Sequence, residues 1–562
     1  MSRSLLLTIA IILVLLYLWC GNLTAQTLSD QVREFLRNRI ETAGYPAKIF
    51  LGEEIIYTSK VLPNFYHNRT FRPAWSNDSG PLNSVVTMLS IVREANSEGL
   101  DSNDYHLVKL EDTLKMLQEN ESTGKPLNPR ILVDLDLLLT DAFLMYGSHL
   151  LAGKVNPETI DSEWFANRRK LDLAQVLETA LQSDRIEESI KSLLPPQKGY
   201  ERLKQALAFY KDIAADGGWL SVPEGIKMQV GYRGERVLFL RNRLSKTKDL
   251  SYSPNADSDL FDKVLEKAVL NFQRRHGLNA DGIVGALTLA ALNVPVENRI
   301  NQIELNMERW RWLPNDLGKR YVLVNIADYT LDVVEDDKSL ITMRVVVGKN
   351  YRRTPVFSGE ITYLVLNPHW NIPKNIAIED FLPLIQKNYR YLSAQNIKVF
   401  DGWGVSTKEI DPGTVDWLKV KPETFNYIFR QAPGPLNPLG RIKFIFPNKF
   451  NVYLHDTPQR ELFQETERTF SSGCIRIQKP VALAEYLLKD DPAWTREEIL
   501  AEINKGIERT IDITEKINIH LLYWTAWADK EGTVHFRNDV YNRDMRLIEA
   551  LREKPYTSSL NR

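Results

Sequence analysis

Two side chains able to make and break a covalent bond stand in the C-terminal third of the chain. They are His455 and Cys474, 19 positions apart. The sequence has two cysteines, and the other, Cys20, lies in an N-terminal apolar segment. A thiolate is the nucleophile in cysteine chemistry, and a neighbouring imidazole lowers the thiol pKa from its reference of about 8.5. The reaction this pair suits is acyl transfer. Sulfur attacks a carbonyl, and the imidazole takes the thiol proton and later exchanges one with an amine partner. Ser-Ser-Gly before Cys474 makes a tight turn, which leaves the backbone N–H groups of Gly473 and Cys474 to hold a developing oxyanion. The plainer alternative is a small buried hydrophobe beside an ordinary histidine. A zinc site fails as a competitor, because neither a second Cys nor a nearby His completes the ligand count.

The elements that must position these groups can be read around them. Asn451 to Leu454 alternates polar and apolar as a half-buried strand does, so Tyr453 and His455 face the same way. Ile475 to Ile477 enters another strand. On this layout Tyr453 lines the pocket, hydrogen-bonds the thiol or oxyanion, or serves as a core aromatic. Arg476 holds a substrate carboxylate, for which a guanidinium is suited, or makes a strand-surface ion pair. Further strands precede them: Tyr321 to Ile326, Thr330 to Val334, Leu340 to Val347, then Ile361 to Leu366 after Arg353-Thr354-Pro355. Between Trp370 and Gly440 the strand pattern breaks, and Phe444 to Phe446 resumes it. Roughly 70 residues inserted between two strands of a site domain are either a lid or a decoration. Trp370, Trp403 and Trp417 are candidate pocket walls by their place in this insert.

The rest of the chain carries less chemistry. Leu28 to Pro223 is mostly helical by periodicity, as at Leu132, Leu135, Leu138, Leu139, Ala142 and Tyr146. His67, His106 and His149 have no cysteine or carboxylate cluster at ligand spacing and are assigned structural roles. Gly234 to Asn293 reads as three short helices, with Gly277 stopping one and Asp281-Gly282-Ile283-Val284-Gly285 making a turn. Ile303, Met307 and Trp310 mark a connecting helix that Pro314 ends. The tail, Val481 to Leu551, mixes helical patterns with a hairpin around Asp529-Lys530-Glu531-Gly532, and His520 and His535 beside it are structural.

With these residues in view, His455-Asp-Thr-Pro followed by Ser471-Ser-Gly-Cys-Ile-Arg476 resembles the signature of the L,D-transpeptidases of the YkuD type. Ser472 stands where many members carry a second histidine. The large multidomain YcbB-like branch also has Ser-Ser-Gly-Cys, so Ser472 is a substrate-side position on this resemblance, alongside Arg476, Tyr453 and Trp370. Phe272-Gln273 through Gly277-Leu278 and Asp281-Gly282 resembles the peptidoglycan-binding type 1 module. Phe71 to Trp75 and Gly153 to Pro157 look like the scaffold region of the YcbB-like enzymes. The resemblance implies a multidomain α+β protein: a helical scaffold (27–225), a three-helix peptidoglycan-binding-like module (226–295) and a connecting helix (296–316). An antiparallel β catalytic domain (317–480) follows with a capping subdomain at 371–440, then a helical and hairpin extension (481–562). It implies a donor tetrapeptide stem of peptidoglycan, an amine acceptor stem, 3→3 crosslinks, acylation by carbapenems, and no metal or other cofactor. Hydrolysis by the same Cys and His, as an L,D-carboxypeptidase or endopeptidase, and a non-catalytic peptidoglycan-binding role are the alternatives.

Length and composition agree with this organisation. The chain has 562 residues, too many for one ordinary core. Hydrophobic residues at 43% and charged residues at 25% are globular values, and a net charge of −1 gives no nucleic-acid footprint. The apolar run Leu5 to Trp19 and the small residue Ala25 read as a secretory signal over residues 1–25, or as an uncleaved inner-membrane anchor. Either route places the protein in the periplasm or cell envelope. A single unpaired thiol beyond Cys20 in an exported chain suggests a reactive group.

Overall fold

The computed structural model describes residues 26–44, 47–165, 168–251, 258–402 and 407–555. The signal or anchor segment and Trp403 lie outside the described residues. By internal packing the chain forms two units: one within 1–154, 170–195 and 553–562, the other within 155–169 and 196–552. The division does not fall near residue 225, where the scaffold was expected to end. Helix Lys198–Ala215 belongs to the second unit, and Gly199 at its start lets Trp310 of that unit approach it. A Cβ at that glycine would overlap the indole ring.

The first unit is helical and is built on Pro129–Ala152, a 24-residue helix buried along most of its length. Two carboxylates on this helix organise the loops around it. Asp136 accepts from the Ala74 and Trp75 N–H groups and from the Tyr66 hydroxyl. Asp141 accepts from the Tyr57 and Thr58 N–H groups and bonds His106 Nε2. His106 also meets Glu54, so it has two carboxylate partners that sequence spacing did not reveal, in a structural role.

The second unit contains the three-helix module, Arg236–Lys246, Lys263–Arg275 and Ala286–Leu292, around its own apolar core. Its sequence motif has a physical basis. The buried Gln273 amide donates to Asp281, the Ile283 carbonyl and Thr288, and accepts from the Gly282 N–H, so one side chain fastens the turn to the helices. The connecting helix runs Val296–Arg311.

A nine-stranded sheet follows. Its strands are β1 (Arg320–Asn325), β2 (Thr330–Glu335), β3 (Lys338–Gly348), β4 (Phe357–Leu366), β5 (Ile442–Ile445), β6 (Leu454–His455), β7 (Thr469–Ser471), β8 (Ile475–Ile477) and β9 (Arg509–Leu522). They lie in the order β7-β3-β8-β6-β5-β4-β9-β1-β2, and β3 also pairs with β2, so the order closes on itself. Most pairings are antiparallel; β6–β8, β7–β3 and β9–β1 are parallel. β9 is a correction to the reading of 481–562 as an extension. This 14-residue strand sits between β4 and β1, inside the sheet. The hairpin expected nearby forms at Ala526–Ala528 and Val534–Phe536.

The insert between β4 and β5 has a four-stranded sheet and short helices of its own. They enclose a separate apolar core that includes Ile372, Leu382, Ile385, Val399 and Phe429. The insert is therefore a folded subdomain.

Candidate active site

Strand register brings the candidate residues together. In the parallel pair β6–β8, Leu454 lies beside Ile475 and His455 beside Arg476. The Ile475 N–H donates to the Tyr453 carbonyl, which carries the register one residue back, to Tyr453 beside Cys474. Leu454 and Ile475 are both fully buried in the sheet core. Side chains alternate along a strand, so Tyr453, His455, Cys474 and Arg476 share the opposite face. On β5, Lys443 is the cross-strand partner of His455 and joins that face. Its ammonium lies 3.8 Å from the centre of the Tyr453 ring.

His455 is 4% exposed, and its Nδ1 meets the Asp456 carbonyl oxygen. Burial, with the cations Arg476 and Lys443 beside it, pushes its pKa down to about 3, so the imidazole is neutral in the neutral pH range. Cys474 is half-buried. Burial raises its pKa, while Tyr453, Lys443 and Arg476 pull it back down. The groups that pull the thiol pKa down are Tyr453 and the two cations; the imidazole, expected to lower it, is not among them.

The turn before the cysteine is closely fastened. Gly473 has φ +110°, a conformation that favours glycine. Its N–H donates to Ser471 Oγ at 3.1 Å, and its carbonyl accepts from Thr354 Oγ1 at 2.9 Å. The Gly473 N–H is thus already engaged, which corrects its assignment as an oxyanion donor. The Cys474 N–H is left as the candidate from that turn. Thr354 Oγ1 in turn accepts from the Gly348 N–H, and Tyr541, from the C-terminal tail, donates to the Gly348 carbonyl at 2.6 Å.

Arg476 donates to Gln459 at 2.6 Å, and its buried Nε has no partner among the described residues. Among those residues no carboxylate is within ion-pairing distance of it, which disfavours the surface ion pair. Ser472 is exposed and accepts from Arg352. Trp417 is not a pocket wall, and Trp370 is half-buried at the edge of the insert. Trp417 is buried in the core of the insert, and Trp370 packs on that core edge-on to Phe381. Sequence reading missed Lys443, Thr354, Arg352 and Tyr541. Lys443 was accessible to it, as a polar position alternating with Ile442 and Phe444; Tyr541 carried no local signal. Among the described residues no three His, Cys, Asp or Glu side chains converge to hold a metal ion.

Fold and site define a modular protein whose β domain presents a cysteine and a histidine on one sheet face, with a folded insert attached beside them. Residues 319–495 match the family described as "L,D-transpeptidase catalytic domain". Residues 233–292 match "Putative peptidoglycan binding domain", and 60–207 match "Scaffold domain". Over these residues the chain is similar to the YkuD-type L,D-transpeptidase catalytic domain and to a peptidoglycan-binding-type domain. A "Putative L,D-transpeptidase" of Haemophilus influenzae is 34% identical over 252 residues, covering 45% of this chain and 50% of that protein. The chain thus spans about half the length of that curated relative. Two solved structures are also similar. An L,D-transpeptidase from Xylanimonas cellulosilytica is 17% identical, with 53% of this chain and 98% of that chain covered and a TM-score of 0.17. One from Stackebrandtia nassauensis is 14% identical, with 54% and 96% covered and a TM-score of 0.21.

Proposed function

We propose that this protein is a cysteine-dependent L,D-transpeptidase that forms 3→3 crosslinks in peptidoglycan. The observation that carries the reading is the clustering of Cys474, His455, Tyr453, Lys443 and Arg476 on one face of a domain matched to that family. Arg476 binds a carboxylate of the donor tetrapeptide stem. Cys474 sulfur attacks the carbonyl between the diamino acid and the terminal D-Ala while His455 takes the thiol proton. The Cys474 N–H steadies the tetrahedral oxygen. The C–N bond breaks, D-Ala leaves with the proton from His455, and a thioester remains on Cys474. The side-chain amine of a second stem then attacks the thioester, the C–S bond breaks, and the amine proton returns to sulfur by way of His455.

Peptidoglycan as substrate puts the working location in the periplasm or cell envelope, with carbapenems as acylating inhibitors of Cys474. Among the described residues no helix is long and apolar enough to cross a membrane. Hydrolysis of the same thioester is the second reading, favoured to the extent that water reaches it. Intact mass after carbapenem exposure tests the nucleophile: a covalent adduct that is lost in Cys474→Ala supports the enzyme, and its absence in the natural chain leaves only a binding role. Disaccharide tetrapeptide as substrate then separates crosslinked dimer from trimmed tripeptide.

A further inference from the structure

The loop Lys349–Thr354 leaves β3 and runs against the turn that carries Cys474. A Cβ on Gly348 would overlap the Arg352 carbonyl oxygen, and one on Gly473 would lie 3.5 Å from the Arg353 carbonyl oxygen. From this loop the Arg352 side chain reaches in two directions. One guanidinium nitrogen donates to Ser472 Oγ at 3.0 Å. The same group forms a two-point ion pair with Asp380, at 2.7 and 3.0 Å, and a further one with Glu379. Asp380 and Glu379 belong to the π-helical turn Ala377–Phe381 of the insert, whose Ala377 is buried in the insert's own core. The Arg352 side chain is 11% exposed, whereas Glu379 and Asp380 are 58% and 47% exposed. A guanidinium this well covered, shared between two carboxylates of one subdomain and a hydroxyl two residues from the nucleophile, is a joint rather than a surface pair.

We propose that Arg352 is a positioning residue that clasps the insert, through Glu379 and Asp380, to Ser472 on the nucleophile turn, and that this clasp sets how the thioester divides between amine and water. The assignment rests on the acyl-transfer reading of Cys474. Attack by an amine forms an amide and breaks the C–S bond; attack by water forms a carboxylic acid and breaks the same bond. In both, the proton from the attacking atom reaches the sulfur through His455. What the protein can set is access, and a subdomain fastened beside the turn limits water more than a bound amine. The clasp also gives Ser472 a task as the acceptor for a cation of the neighbouring loop.

The test uses the full chain with Glu379→Gln/Asp380→Asn, which leaves Arg352 and the nucleophile turn intact, and with Arg352→Lys, which keeps the charge but not the planar fork. Hydrogen exchange of residues 374–387 reads the clasp. The ratio of crosslinked dimer to trimmed tripeptide from disaccharide tetrapeptide reads the partition, a quantity that mere loss of folded protein does not move. In the double variant, exchange should quicken and the dimer-to-tripeptide ratio should fall by about fivefold, the shift expected from losing one partly exposed ion-pair cluster. Arg352→Lys should move both readouts the same way by less. The carbapenem adduct should still form. Unchanged exchange overturns the clasp. Faster exchange with an unchanged ratio, or a natural chain that yields tripeptide alone, overturns its role in partition. If the natural chain forms neither adduct nor product, the acyl-transfer reading itself fails, while the exchange measurement still decides the clasp.

Discussion

At the scale of single residues, the site works against its own burial. The thiol of Cys474 is pushed up by the protein around it and eased down by Tyr453, Lys443 and Arg476. His455, pushed down to about 3, is already deprotonated across the neutral range. Acylation by a carbapenem should therefore rise with pH from neutral into the alkaline range, as the thiol ionises, with no separate acid limb from His455 near its ordinary value. A pH series of adduct formation by intact mass checks this; a flat plateau from acid to neutral pH would instead indicate a preformed thiolate–imidazolium pair. Lys443→Ala removes one cation from the thiol. It should slow acylation at neutral pH by about fivefold and move the rise to higher pH, the effect of less than about one pKa unit of support.

At the scale of elements, short motifs prove to be fastenings. Gln273 holds the Asp281–Gly282 turn to its helix through four hydrogen bonds. Gln273→Ala leaves the buried Gly282 N–H without its partner, and should destabilise the three-helix module by about 2 kcal/mol, measured by chemical denaturation. The insert has its own core, and Phe429 is fully buried in it. Phe429→Ala should cost the insert about 3 kcal/mol and expose 371–440 to protease while the nine-stranded sheet stays resistant. The strands flanking Cys474 are short: β6 has two residues and β8 three. They hold position because β3 and β5 flank them and because Thr354 and Tyr541 fix the adjoining loop.

Across the whole molecule, the buried histidines of the two units have pKa values shifted in opposite directions. In the first, His106 lies between Asp141 and Glu54, and despite its burial these carboxylates raise its pKa to about 9. The unfolded value is near 6.5, so this contribution to stability is fully present below about pH 6.5 and lost as pH rises through about 9. In the second, burial holds His455, His276 and His520 below the usual histidine value. The unfolded chain binds those protons first, so stability falls as pH drops below about 6.5. Calorimetry across pH should show two transitions that move in opposite directions, and His106→Gln should flatten the alkaline dependence of one alone. A single transition with one pH optimum would count against independent units.

The sequence by itself determined the candidate pair Cys474 and His455, the three-helix module and the inserted segment. Each of these rests on local features: residue types at fixed spacing, a turn of Asp and Gly, and a break in strand alternation. It also determined that Tyr453 and His455 face one way, because alternation along a strand is local. Only the tertiary structure decided that Arg509–Leu522 is an inner strand of the sheet and that Lys198–Ala215 joins the second unit. Only the fold, likewise, brought Lys443, Arg352 and Tyr541 to the elements around Cys474. Those placements depend on pairings between residues tens to hundreds of positions apart. The same is true of the electrostatics: burial reversed the expected direction of the thiol pKa, and burial is a property of the folded chain.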